Sequence, residues 1–168
     1  TQIPYTTSTI TSEVAIIDLS GIIKRGAYNY TIASNVKSVT FIGLEERQYE
    51  MRIIVSIRSN PLIIGLENMH FAPTGGYGYD AISSKGTGEI YLYYKGNNSI
   101  QGGSGANGTN YYTQYSQATG NKNGIDGSKG GNGQNGGYGI RANKVHLVAY
   151  DEDSSIVITG GNGGTGGR

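Results

Sequence analysis

The sequence lacks cysteine and tryptophan, and its 168 residues include only three prolines, two phenylalanines and two methionines. Without cysteine there can be no disulfide bonds, thiolate chemistry or cysteine-ligated zinc. No run of about 18 apolar residues is present, so the sequence predicts no transmembrane helix and no membrane insertion. The 13 basic and 12 acidic residues give a net charge of +1 without a long block of either sign. We therefore expect no nucleic-acid partner.

Glycine, tyrosine and isoleucine are abundant, with 29, 14 and 20 copies. Leucine occurs only 6 times, and this excess of β-branched residues over leucine favours strands. No window has a sustained apolar period of about 3.6 residues, so we expect no substantial helix. Short apolar runs bounded by Gly, Asn, Ser or Pro predict strands at 14–19, 28–32, 36–42, 51–57, 62–71, 89–94, 145–150 and 156–159.

The chain divides into three parts. Residues 1–12 are rich in Thr and Ser and predict an N-terminal edge strand or a linker. Residues 13–101 predict a β-solenoid domain, because strand starts recur at intervals of roughly 10 to 25 residues. Residues 102–168 carry 19 of the glycines and predict a glycine-rich region with interleaved strands of the same structural unit. An antiparallel sandwich with Asn-Gly turns is the main structural alternative.

A weak internal repeat supports the solenoid. Each copy has an apolar strand, a polar turn, a second short strand and a Gly-rich exit. The first copy comprises Ile82, 90–92, 99–100 and 102–103, and the second comprises Ile140, 145–147, 155–156 and 160–161. The sequence therefore predicts one structural unit used twice.

Glycine recurs at every third position in the second half of the chain. The longest run is Gly124, Gly127, Gly130, Gly133, Gly136 and Gly139. Shorter runs are Gly102, Gly105, Gly108 and Gly161, Gly164, Gly167, with Gly160, Gly163 and Gly166 alongside. Collagen would need abundant proline, and this half has none. The period matches extended helices with about three residues per turn, and predicts a polyglycine-II-like bundle. Loose Gly/Asn linkers are the alternative.

By this glycine spacing, residues 102–168 resemble the glycine-rich bundles of phage tail-fibre tip adhesins and of springtail antifreeze proteins. Residues 36–108 look like the glycine-rich β-solenoid surface proteins of bacteria, and runs such as 35–43, 66–71 and 156–164 are similar in style. These resemblances imply a secreted or cell-surface location and a right-handed parallel β-solenoid. They imply no particular activity.

Motifs for nucleotides and metals are weak. The pattern G-x-G-x-x-G begins at Gly103, Gly131 and Gly161, but no helix is predicted after any of them to face a pyrophosphate. His70 and His146 lie in predicted strands without a spaced third ligand. The acidic run 151–153 could form a calcium loop, although a solvated turn is the favoured interpretation. We expect no metal and no cofactor.

Catalysis has equally little support. A glycosidase on a β-helix would use paired carboxylates, and the candidates are Asp80, Glu89, Glu67 and Glu50. Nothing in the sequence brings two of them together. We therefore expect that the protein is not an enzyme.

Tyrosines are the candidate ligand- or partner-binding residues: Tyr77, Tyr79, Tyr91, Tyr93, Tyr111, Tyr112 and Tyr115. In an alternating strand Tyr91 and Tyr93 share one face, while Leu92 and Tyr94 take the other. The first face would form an aromatic ridge suited to stacking on sugars or packing against another subunit. The alternative is that these tyrosines cap a thin core.

Together these features predict an all-β, non-catalytic extracellular structural and adhesive module, a unit of a fibre or of a larger surface protein. The expected partners are the chain itself, a cell-surface glycan, or a protein. A glycan-binding or carbohydrate-active module on the same scaffold is the alternative. An ice-binding protein is the third possibility, although the sequence has no flat Thr-rich face. Because the chain begins at Thr1 without a signal-like segment, we expect a processed product or a piece of a longer protein.

Overall fold

The structure, a computed structural model, describes residues 7–22, 26–109 and 130–167. Within these ranges the chain forms strands and turns without any helix, and so none that could cross a membrane. The strands are β1 (Thr7–Ile10), β2 (Val14–Asp18), β3 (Ala27–Ile32), β4 (Ser38–Ile42), β5 (Gln48–Val55), β6 (Leu62–Glu67), β7 (His70–Ala72), β8 (Ile82–Ser84), β9 (Ile90–Lys95), β10 (Asn97–Gln101), β11 (Ile140–Arg141), β12 (Val145–Ala149) and β13 (Ser155–Thr159).

The strands form two sheets, and every strand pair is parallel. The first sheet has the order β1-β3-β5-β7-β10-β13, with β8 pairing with both β5 and β11. The second sheet has the order β12-β9-β6-β4-β2. The chain thus alternates between the two sheets, and we call each pass through both sheets a rung. Parallel pairing throughout the described residues excludes the antiparallel sandwich.

Buried side chains from both sheets form one hydrophobic cluster. Val39, Ile64 and Leu92 lie opposite one another in successive strands of the second sheet and are fully buried. Tyr30 of the first sheet packs edge-on against Phe41 of the second, with ring centroids 5.2 Å apart. The isoleucine-rich alternation of the sequence therefore places one face of each strand in a shared core, where each fully buried aliphatic side chain contributes about 1.5–3 kcal/mol.

Most predicted strands are confirmed, with ends that differ by up to three residues. The single strand predicted at 62–71 is wrong, because the chain turns a corner at Asn68 and β6 and β7 belong to different sheets. Asn68 has a φ of 50° and Gly96, on the next rung, a φ of 69°. These left-handed residues, of types that tolerate such a backbone, end β6 and β9.

A buried asparagine ties successive corners together. The side chain of Asn98 is 2% exposed. Its Oδ1 accepts a hydrogen bond from the backbone N–H of Met69 at 2.9 Å. Its Nδ2 donates to the carbonyls of Lys95 and Ser155 at 3.0 and 3.3 Å. One amide therefore connects three rungs, and both its Oδ1 and its Nδ2 have the hydrogen-bond partners that a buried polar group needs.

The internal repeat corresponds to neighbouring rungs. Ile140 lies opposite Ile82, and β12 lies opposite β9 along its whole length. For the second short strands, the sequence comparison matches Ser99 with Ser155, whereas in the structure Ser99 pairs with Val157, two residues later. The turn at 150–154 between β12 and β13 is longer than the single Gly96 that joins β9 to β10, and this difference causes the offset.

Three extended glycine-rich segments leave the strands of the first sheet: 102–109 follows β10, 130–139 precedes β11, and 160–167 follows β13. Backbone N–H groups of the first segment donate to carbonyls of the third segment and of Thr159 just before it, the third segment donates to the second, and the second donates to the first. The donor–acceptor pairs are Gly102–Thr159, Gly105–Asn162, Gly108–Thr165, Gly161–Gly137, Gly164–Gln134, Gly167–Gly131, Gly131–Thr109, Gln134–Ala106 and Gly137–Gly103, all at 2.7–2.9 Å. Each segment therefore donates every third N–H within a closed, three-way network, which we call the glycine bundle.

The glycines at every third position of the bundle lie where no side chain fits. A Cβ on Gly133, Gly136 or Gly164 would overlap a carbonyl of a neighbouring segment, and a Cβ on Gly139 would lie 2.7 Å from the Ile158 side chain. Gly130 lies at the start of the second segment, and Gly124 and Gly127 lie outside the described residues. The three-residue period thus coincides with the positions of closest backbone approach.

Candidate binding site

Tyr91 and Tyr93 lie on the outer face of β9, on the side opposite the buried Leu92. Tyr93 is 42% exposed and Tyr91 is half-buried. Tyr94 is half-buried and follows Leu92 on the other side of the strand. Alternation along the strand therefore gives the outer face of the second sheet a pair of tyrosine rings.

The Tyr91 ring is held in place by its neighbours. It stacks on the His146 ring of β12, with centroids 4.3 Å apart and an interplanar angle of 9°. Its hydroxyl donates to Oε2 of Glu89 at 3.1 Å. The same carboxylate lies 3.2 Å from Nε2 of His146 and 3.3 Å from Nζ of Lys144. Tyr91 is therefore fixed at both its ring and its hydroxyl.

These contacts shift two pKa values. Hydrogen bonds from His146, then Lys144 and Tyr91, hold the pKa of Glu89 below its ordinary value of 4.5. The hydrogen bond to Glu89 and the nearby negative charge raise the pKa of Tyr91. Both shifts have the same origin, since the cluster favours a charged carboxylate next to a neutral phenol.

Acid is expected to loosen this cluster. A carboxylate with a lowered pKa in the folded state stabilises that state above its ordinary pKa of 4.5, and the contribution is lost as pH falls through the lowered value. Tyr91 ring signals followed by NMR should therefore shift as the solution is acidified below pH 4.5. Glu89→Gln should remove that transition while leaving the signals of Tyr150 unaffected. If the Tyr91 ring signals still shift below pH 4.5 in Glu89→Gln, protonation of Glu89 is not the cause of the transition.

A groove of about 550 Å³ runs beside these two tyrosines. Its lining comprises Lys37, Asn60, Pro61, Ile63, Tyr91 and Tyr93. Ile63 lies opposite Tyr91 on β6 and is 42% exposed, while Lys37 precedes β4 and Asn60 and Pro61 precede β6. The groove therefore combines an aromatic wall and an apolar floor with an amine and an amide at its rim.

The other candidate tyrosines lie elsewhere. Tyr79 stacks on the Arg52 guanidinium of β5, whose Cζ is 3.8 Å from the ring centroid, and Tyr77 lies 5.4 Å from Tyr79. These two belong to the loop between β7 and β8 of the first sheet, so they do not join Tyr91 and Tyr93. Tyr111, Tyr112 and Tyr115 lie outside the described residues.

The sequence reasoning missed the remaining groove residues and two further aromatic contacts. The Arg141 guanidinium lies over the Tyr138 ring and also pairs with Asp80 at 3.1 Å. Lys95 lies over Tyr150. Spacing within one strand could not reveal these pairs, because the partners lie on different strands or turns. The internal repeat, which aligns His146 with Tyr91, was the one available signal for their stacking.

The carboxylates and histidines considered for catalysis or metal binding do not come together in one site. Glu89 contacts Lys144 and His146, while Asp80 pairs with Arg141 near the glycine bundle. His70 lies on the first sheet and contacts the Ser99 hydroxyl at 2.8 Å. Asp151 accepts hydrogen bonds from its own turn. Within 7–22, 26–109 and 130–167, no three metal-ligating side chains form a cluster. Comparison of the chain with protein-family models, curated proteins and solved structures finds no match.

Proposed function

We propose that this chain is a non-catalytic structural and adhesive module of an extracellular surface, a unit of a fibre or of a larger surface protein. The observation that carries the proposal is the glycine bundle, whose three segments are joined by backbone hydrogen bonds at every third residue. Such a network gives a rigid projection without disulfide bonds or a side-chain core. Rigidity of this kind suits display and mechanical roles better than turnover of a substrate.

The finer architecture that we propose is a short right-handed parallel β-solenoid with a polyglycine-II-like bundle beside it. Support comes from the all-parallel pairing and from the alternation of the chain between two sheets. Right-handed crossovers are the rule for parallel strands. The three-residue hydrogen-bond period is that of extended helices with about three residues per turn. The resemblance to bacterial and phage surface proteins supports the extracellular location.

Self-association is supported by the end of the molecule formed by β12 and β13. Each of these strands pairs on one side only among the described residues. Leu147 is in register with the buried Leu92, yet it is 50% exposed because no further rung covers it. Unpaired strand edges and half-covered core residues favour stacking of another copy on this end.

The test is negative-stain electron microscopy combined with light scattering of the native chain. We expect end-to-end oligomers or fibres with a regular axial repeat. Leu147→Lys should shorten or abolish them, because a charge at the open end opposes stacking. Ile57→Lys is the matched control, since Ile57 is 75% exposed away from that end. Particles that stay single at every concentration would contradict the fibre unit.

The alternatives have less support. An ice-binding face would need a regular flat row, whereas one outer row of the first sheet mixes Thr9, Thr31, Ile54 and Ser83. A carbohydrate-active site would need a pair of carboxylates, and Glu89 is already engaged by three donors. Glycan binding without catalysis is compatible with the structural role, and the groove beside Tyr91 favours it.

A further inference from the structure

We infer that the groove beside Tyr91 and Tyr93 is a saccharide-binding site that takes one or two neutral pyranose rings. This assignment rests on the adhesive function proposed above and names its ligand class. A groove of about 550 Å³ falls within the roughly 300–1,000 Å³ typical of small-molecule sites.

The aromatic wall of the groove is formed before any ligand arrives. On the β12 side, His146 covers one face of the Tyr91 ring, and Glu89 fixes the hydroxyl. The groove lies on the opposite side, toward Ile63 of β6. A ring whose rotation is already restricted loses little side-chain entropy when a flat partner packs against it.

A glycine is the neighbour of the second ring. Tyr93 has Gly65 as its neighbour in register on β6, and Gly65 is followed by Thr40 on β4. A Cβ on Gly65 would lie 2.8 Å from Oγ1 of Thr40, so a larger residue would crowd this row. Tyr93 therefore has no side chain in register with it on β6, and the Thr40 side chain lies over Gly65 beyond it.

The lining matches the two-sided chemistry of a sugar ring. A pyranose presents C–H groups on its faces, which suit Tyr91, Tyr93 and Ile63, and hydroxyl groups around its edge. The rim of the groove supplies the ammonium of Lys37 and the amide oxygen of Asn60 for those hydroxyls, while Nδ2 of Asn60 donates to the Ser34 carbonyl at 3.3 Å. Polar groups placed at the edge of an apolar site fix the orientation of such a ligand.

Charge at the groove favours a neutral sugar over an acidic one. Nζ of Lys37 lies 3.6 Å from Glu13, and both side chains are exposed. Lys144 and His146 face Glu89. Lys37, the charged residue of the groove lining, thus has an acidic partner, and Lys144 and His146 on the other side of Tyr91 share one. Arg58 has no carboxylate partner among the described residues, but it is only 5% exposed and donates to carbonyl groups, so the groove lining presents no unpaired positive charge to select a carboxylated sugar.

A small ligand also fits this face better than a second protein does. Val14 and Ile16 on β2 are exposed apolar residues of the same sheet. Ser38 and Thr40 of β4 separate them in register from Ile63 and Tyr93. The apolar surface is therefore interrupted, whereas protein interfaces need about 800 Å² on each partner.

The experiment is an NMR titration of isotope-labelled protein with maltotriose, cellotriose and tri-N-acetylchitotriose. We expect at least one of them to shift Tyr91, Tyr93 and Ile63 signals. Tyr91→Ala/Tyr93→Ala should weaken that binding about tenfold or more, since each lost stacking contact has a cost of this order. Tyr91→Phe should bind nearly as well, because the ring remains. Tyr77→Ala is the control for loss of an exposed tyrosine on the other sheet.

Ile63→Glu provides a second test if the double tyrosine variant folds poorly. Ile63 is already partly exposed, so this change fills the floor of the groove with charge at little cost to the core. It should abolish the titration shifts. The inference is overturned if none of the three trisaccharides shifts groove signals, or if the shifts persist in Ile63→Glu. It is also overturned if the same signals shift on raising the protein concentration without sugar, which would indicate pairing of two copies. Tighter binding of trigalacturonate than of any neutral sugar would overturn the choice of a neutral ligand.

These outcomes separate this inference from the proposed function. Leu147, at the open end of the molecule, does not line the groove. If fibres form and no sugar binds, the saccharide site fails while the structural role stands. If a sugar binds to a chain that stays monomeric, the fibre unit fails while the saccharide site stands.

Discussion

Gly164→Ala is expected to open the glycine bundle, whereas Gly163→Ala, one residue earlier, is expected to leave it intact. A methyl group on Gly164 would overlap the carbonyl of Ala106 and lie 2.9 Å from the backbone nitrogen of Asn107. A methyl group on Gly163 has its nearest neighbour at 3.7 Å, the carbonyl oxygen of Gln134. Neither glycine has a positive φ, so the two substitutions differ in space and not in backbone conformation.

The two variants should differ clearly in stability. The clash at Gly164 cannot be relieved by a side-chain rotation, and moving the segments apart breaks hydrogen bonds such as that from Gly164 to Gln134. We expect a loss of about 2–3 kcal/mol. Gly163→Ala should change the free energy of unfolding by less than about 0.5 kcal/mol, and a small gain would reflect the stiffer unfolded chain.

Amide hydrogen exchange of Gly161, Gly164 and Gly167 is the direct measurement, because these N–H groups donate across the bundle. Protection should fall in Gly164→Ala and persist in Gly163→Ala, with urea unfolding as the global readout. Equal protection in the two variants would mean that the glycine-rich segments behave as loose linkers. Loss of protection confined to Gly164→Ala would tie the three-residue period to close backbone packing.

The sequence predicts some of these features because they repeat along one strand or one segment. Alternation places Tyr91 and Tyr93 on one face, and the glycine period marks Gly133, Gly136 and Gly164. Neither signal depends on which strand lies next to which. The all-β class and most strand positions follow from the same kind of local pattern.

The groove and the corners could not be predicted in this way. Lys37, Asn60 and Tyr91 belong to three different rungs, and only the register between strands brings them together. The corner at Asn68 is also invisible in an apolar run, because a single left-handed residue separates two strands without a Gly or Pro. Features that depend on stacking of rungs need the register, which one sequence does not contain.

Arg58 is the clearest example of a residue whose role depends on the register between strands. In the sequence it is a charged residue after an apolar run, which ordinarily means a solvated strand end. In the structure it is only 5% exposed, and burial lowers its pKa. Its guanidinium contacts carbonyl groups of two successive turns, and no carboxylate pairs with it among the described residues.

Arg58→Met is expected to be among the most destabilising single changes in the body of the protein. Nε donates to Asn60 at 3.1 Å, Nη1 to Ala33 at 3.3 Å, and Nη2 to Pro61 at 3.2 Å and to Val36. Methionine fills much of the same volume but leaves these carbonyls without a donor. Hydrogen bonds to a charged group and the penalty for unpaired buried carbonyls together predict a loss of about 3–4 kcal/mol.

The next rung contacts the backbone of Arg58, which Arg58→Met leaves in place. Gly88 donates its N–H to the Arg58 carbonyl at 2.9 Å, and a Cβ on Gly86 would overlap that carbonyl. The Arg58 side chain therefore joins its own turn to the turn before it, and its backbone carbonyl joins it to the turn after it. Arg58→Lys keeps the charge but lacks the planar fork that reaches several carbonyls at once, so we expect it to lose about half as much stability.

Arg52→Met is the matched control. Arg52 is half-buried, donates from Nε to Asn29 at 3.3 Å and lies over the exposed Tyr79 ring. An exposed contact of this type is worth about 0.5–1 kcal/mol. Urea unfolding of the three variants should rank the losses as Arg58→Met, then Arg58→Lys, then Arg52→Met. Similar losses for Arg58→Met and Arg52→Met would show that the turn carbonyls find water when the guanidinium is removed, and that the turns stack without it.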